Sequence, residues 1–63
     1  MTKSEAKQVA NWVLNDKFAK LEIWENENGC ISTFLDEAWF EFSEDSKMSK
    51  LMEKAYKKFT SEY

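Results

Sequence analysis

Between residues 21 and 45 the chain changes both its charge and its apolar period, and any fold has to accommodate that change. The stretch holds eight acids, no Lys or Arg, and five large aromatic residues: Trp24, Phe34, Trp39, Phe40 and Phe42. Residues 1–20 carry a formal charge of +2, residues 21–45 of −8 and residues 46–63 of +3. The net charge of −3 thus hides a dipolar chain, and local patches guide association more than the total does.

The flanks read as helix. Thr2 and Glu5 stand at capping-box spacing, a hydroxyl followed three residues later by a carboxylate. Ala6, Val9, Ala10, Val13 and Leu14 then recur at helical intervals, which predicts an amphipathic helix over 3–16 with Trp12 closing the margin of its stripe and Phe18 under its end. Near the other end, Ser43, Glu44, Asp45 and Ser46 offer N-cap chemistry, with acids at the positive end of a helix dipole. Met48, Leu51, Met52, Ala55, Tyr56 and Phe59 form the apolar stripe of a second helix, over 46–60.

The middle reads as strands. Leu21 and Ile23 alternate with Glu22 and Trp24, and Asn28-Gly29 is a strong hairpin signal. Residues 30–35 are rich in β-branched and aromatic types, Asp36-Glu37 marks a second turn, and residues 38–43 alternate again. The expectation is an α+β fold of order α-β-β-β-α, a three-stranded antiparallel meander with both amphipathic helices on one face. In that register Ile31, Thr33, Leu35, Ala38, Phe40 and Phe42 face the helices, while Phe34, Trp39 and Glu41 face away. A three-residue loop at Glu27-Asn28-Gly29 adds Glu22 and Trp24 to the open face. A two-residue turn at Asn28-Gly29 swaps them, because a one-residue slip flips every side chain.

Size and residue types narrow the chemistry. Sixty-three residues make one small domain, which leaves roughly 40% of the unfolded chain's surface exposed. Cys30 is the sole cysteine, so an intrachain disulfide is excluded and a reducing, cytoplasmic compartment is expected. With no His, the chain lacks both the usual general base and a zinc ligand set, and neither metal nor cofactor is expected. Cys30, read as the start of a strand, has nothing to lower its pKa and counts as a small hydrophobe. The single Gly rules out a Gly-rich phosphate loop. The opening residues show no secretory-type hydrophobic segment, and no apolar run approaches the ~20 residues that span a bilayer.

A non-enzymatic protein-binding module follows as the expectation. Glu22, Trp24, Phe34, Trp39 and Glu41 make the candidate partner site, an aromatic centre with a carboxylate rim. The indoles have an alternative place, folded over the sheet edge as extra core. The partner is another protein, such as a host enzyme or complex, or a second copy in a homodimer. In physical type the chain suits an inhibitor or adaptor of the kind phages and other mobile elements encode, its acids mimicking a nucleic-acid backbone against a host nucleic-acid enzyme. The alternative is a homodimeric nucleic-acid-associated regulator in which Lys47, Lys50, Lys54, Lys57 and Lys58 meet phosphates. Against it, the chain has no Arg for bidentate contacts.

Overall fold

The computed structural model describes residues 1–62, and they form four α-helices: α1 (Lys3–Leu14), α2 (Phe18–Asn28), α3 (Ile31–Glu41) and α4 (Ser46–Glu62). Among the described residues there is no strand. The α+β expectation is therefore overturned: the flanking helices stand where their stripes place them, but the meander between them is two further helices.

The reason lies in which period the middle obeys. Ile31, Phe34, Leu35 and Ala38 recur at i, i+3, i+4 and i+7, and all four are buried. The two-residue alternation read over the same stretch is a coincidence of composition, since an 11-residue window satisfies both templates in part. Asn28-Gly29 is likewise a helix end rather than a hairpin turn. Gly29 takes φ 102° and ψ −158°, a region essentially reserved for glycine, and its N–H donates to the Glu25 carbonyl at 2.9 Å. The Asn28 side chain donates to the Trp24 carbonyl at 3.2 Å, closing the same turn.

The outer helices carry their caps. The Thr2 hydroxyl accepts from the Glu5 N–H at 3.1 Å, as the box spacing implies. At the other end of α1, Lys17 N–H reaches the Trp12 carbonyl and Asp16 N–H the Val13 carbonyl, with Asp16 at φ 57°. This is a Schellman closure with Asp in the place glycine usually fills. Lys58 from α4 completes it, donating to the Leu14 carbonyl at 2.7 Å and pairing with the Asp16 carboxylate at 3.0 Å. Asp45 caps α4, accepting from the N–H groups of Lys47 and Met48 at 3.1 Å each.

α1 touches all three other helices, and α4 packs on α1 and α3. Lys3 pairs with Asp45 at the start of α4, while the end of α1 meets Lys58 thirteen residues along α4's sequence from Asp45. The two helices consequently run parallel. Ala6, Ala10, Ala38 and Ala55 are fully buried, and these small side chains let the helix axes approach closely. Val9, Val13, Leu21, Ile31, Phe34, Leu35, Met48 and Met52 fill the rest of one continuous core. Trp12 closes its edge, as its place at the margin of the first stripe suggests, and Leu14, Leu51 and Phe59, expected within the two stripes, are only partly buried at that edge.

Several placements change with the fold. Phe34, assigned to the open face, is 4% exposed, and Phe40, assigned to the covered face, is 86% exposed. Trp24 is half-buried against Phe34, ring centroids 4.6 Å apart in an edge-on contact. Phe18, expected under the end of α1, opens α2 and is 47% exposed.

Candidate protein-binding surface

α3 fixes the surface. Its buried stripe faces the core, which turns Asp36, Glu37 and Phe40 outward and sets Trp39 toward α4. Trp39 is half-exposed, and beside it the Phe40 ring stands almost entirely in solvent. Asp36, Glu37, Phe40 and Glu41 surround an open hollow on this outer face. On the α4 side a deeper groove of about 410 Å³ runs between the helices. Leu35 and Met52 form its floor, Trp39 and Tyr56 its walls, and Asp36, Glu53 and Lys57 its polar edge. Lys57 is held by Glu53 at 3.0 Å, so its charge is locally matched.

This surface contradicts the local rules of helix stability. α3 has three acids and no base, and Glu37 and Glu41 sit toward the end where the dipole is negative. Its N-cap position holds Cys30, a weak sulfur acceptor in place of the hydroxyl or carboxylate that caps a helix well. Large aromatics outside, acids at the disfavoured end and a weak cap are the kind of inconsistency that gathers at functional sites.

Of the five candidate residues, the fold unites only part. Trp39 and Glu41 are exposed on α3 and flank the two hollows. Trp24 and Phe34 belong to the core and its edge, so the open aromatic sheet face they were to share with Trp39 does not exist. Glu22 is exposed on α2, turned away from Leu21 and Trp24, and does not line either hollow. Phe40, Tyr56 and Asp36 take their place. A period of 3.6 applied to α3 would have found Phe40, which lies opposite the Ile31–Ala38 stripe.

The basic side lies elsewhere. Lys47, Lys50 and Lys54 are exposed on α4, and Lys47 shares a shallow hollow with Lys3 and Lys7 of α1. Lys3 is matched by Asp45, Lys57 by Glu53, and Lys58 caps α1, so the five-Lys phosphate face is reduced to three. The molecule accordingly has a basic α1–α4 side and an acidic α2–α3 side.

Cys30 also differs from expectation. It is exposed at the N-terminus of α3, not at a strand start, with its Sγ 3.0 Å from the Ser32 hydroxyl. The Ser32 hydroxyl, then the backbone N–H groups of Ser32 and Thr33, draw the thiol below its ordinary pKa. Among the described residues no group of three or more His, Cys, Asp or Glu converges as a metal site, and no helix is long and apolar enough to cross a membrane.

No family model matches the chain, and neither does any curated protein or solved structure. The class that fold and surface define is a small four-helix α protein with one aromatic, acid-flanked helix face.

Proposed function

We propose that the protein is a non-enzymatic binding module that engages another protein through the outer face of α3. The observation that carries this reading is the Trp39–Phe40 pair, turned to solvent beside Asp36, Glu37 and Glu41 on a helix whose own charge opposes its dipole. Exposed aromatics next to a charged rim supply binding energy at the centre and orientation at the edge. The acid rim favours a basic surface on the partner. That composition suits an inhibitor or adaptor that occupies the Lys/Arg-lined surface of a nucleic-acid enzyme, the carboxylates standing where phosphates would.

Affinity capture from the native host, comparing the wild type with a Trp39→Ala, Phe40→Ala double variant, followed by direct titration of the captured protein, tests the reading. Loss of that protein's binding with an unchanged helical circular-dichroism signal is expected. Full binding by the double variant removes α3 from the interface.

A second reading rests on the exposed Lys47, Lys50 and Lys54 beside Lys7. Three or four phosphate contacts give weak, salt-steep binding to nucleic acid of any sequence. Gel-shift titration at two salt concentrations separates the readings: salt-steep binding lost on triple Lys→Gln substitution favours the basic face, and none favours α3.

A further inference from the structure

Resting only on the reading of α3's outer face as a docking surface, we infer that a second copy of this chain docks on it head to tail, Phe40 of one copy entering the Lys-rimmed hollow where α1 and α4 of the next begin. The two surfaces are complementary. On α3, Phe40 stands almost bare in solvent, and Asp36, Glu37 and Glu41 line the same outer hollow. At the start of α1 and α4, Lys3, Lys7 and Lys47 rim a hollow of about 220 Å³ whose apolar lining is buried Met48 and partly buried Leu51. That space takes one phenyl ring, and the lysine stems extend its apolar wall. Asp45 at this rim is held by Lys3, whereas Lys7 and Lys47 have no ion pair among the described residues, so the patch keeps a positive charge.

The helix dipoles add to the match. Because α1 and α4 are parallel, both present their positive ends beside these lysines. Glu37 and Glu41, set toward the negative end of their own helix, meet there the field that α3 denies them. Charge also disfavours like pairings: α3 against α3 would oppose three carboxylates to their equivalents, and the lysine hollow against itself would oppose cations. Contact between unlike surfaces is heterologous, so each copy offers one of each and association continues past the pair unless a ring closes. A foreign basic protein competes for the same α3 face, but a second copy is present wherever the chain is made.

Sedimentation velocity at rising protein concentration, in low and high salt, tests the contact with two variants altered only at exposed positions. One is Glu37→Gln, Phe40→Ala, and the other is Lys7→Gln, Lys47→Gln. The wild-type sedimentation coefficient should climb with concentration and fall back in high salt. Each variant alone should associate at least tenfold more weakly, with its helical circular dichroism unchanged. An equimolar mixture should recover association yet stop at a one-to-one pair, because each variant keeps only the surface the other has lost. A wild type that stays monomeric, a variant that associates as well as the wild type, or a mixture that recovers nothing would each overturn the inference. If the wild type stays monomeric while the captured protein still depends on Trp39 and Phe40, the inference fails and the protein-binding reading survives. If the mixing rule holds while the captured protein ignores those two residues, α3 remains the contact between copies and the protein-binding reading fails.

Discussion

Phe34 and Phe40 are six positions apart on one helix and have opposite energetics. Phe34 is sealed in the core with its ring edge-on to Trp24, and removing it leaves a cavity beside Trp24 that neighbours fill only in part. Phe34→Ala should cost about 3–5 kcal/mol, a large share of the stability of so small a domain. Phe40→Ala removes a ring that is already in water and puts the best helix former in its place, so the change should stay within about 0.5 kcal/mol of zero. Urea unfolding of the two variants checks this. Equal losses would put Phe40 into the core and remove the surface on which the functional reading stands.

At the scale of the element, the four helices are held unequally. α2 buries only Leu21, with half-buried Trp24 beside it, and leaves Ile23 in solvent. It has no side-chain cap, Lys20 lies near its positive end, and Glu25 and Glu27 lie near its negative end. Its backbone should open before the others. Amide hydrogen exchange is expected to be faster across α2 than in the middle of α1 or α4, and Leu21→Ala should accelerate α2 more than it does α4. Uniform exchange across all four helices would show that α2 opens only with the whole.

The same weakness explains what could be read from the chain. α1 and α4 are legible because cap and stripe agree: Thr2 with Glu5 and the Ala6–Val13 stripe, Asp45 with the Met48–Ala55 stripe. α2 and α3 lack a good cap residue and carry the wrong end charges, so their local signals fell to β-branched and aromatic content and to Asn28-Gly29, which serves a helix end as well as a hairpin. Parity then followed the wrong period. Trp39 and Glu41 were placed outward under either period, whereas Phe40 and Phe34 exchanged faces. Tyr56 reads from sequence as part of α4's core stripe, and only the packing of α3 against α4 shows it as a groove wall. Lys58 was assigned to the solvated side because nothing local announces a bond to a carbonyl 44 residues away.

Over the whole molecule, two lysine contacts clamp α1 to α4, Lys3 on Asp45 at one end and Lys58 on Leu14 and Asp16 at the other. The Lys3 ammonium, then the Met48 N–H, hold the Asp45 carboxyl below its ordinary pKa of 3.8. A carboxylate with a lowered folded pKa binds fewer protons in the folded state, so its contribution is complete above that ordinary value and fades as pH falls through the folded one. Thermal unfolding followed from pH 6 down to about pH 2 should show the midpoint falling in the acid range, and Asp45→Asn should make that fall shallower. At the opposite end Lys58→Met keeps the apolar stem but leaves the Leu14 carbonyl and Asp16 without their cation, at a cost of about 1–2 kcal/mol. Stability insensitive to both substitutions would show the clamps to be ornaments on a core that already fixes the α1–α4 pair.

Because α1 runs alongside α4, the first and last helices of the described fold are neighbours in space and strangers in synthesis. A nascent chain emerging from the ribosome can offer Ala6, Val9, Ala10 and Val13 only α2 and α3 until Met48, Met52 and Ala55 have also cleared the exit tunnel. The core is thereby left unfinished until α4, the helix α1 packs on most, has been made.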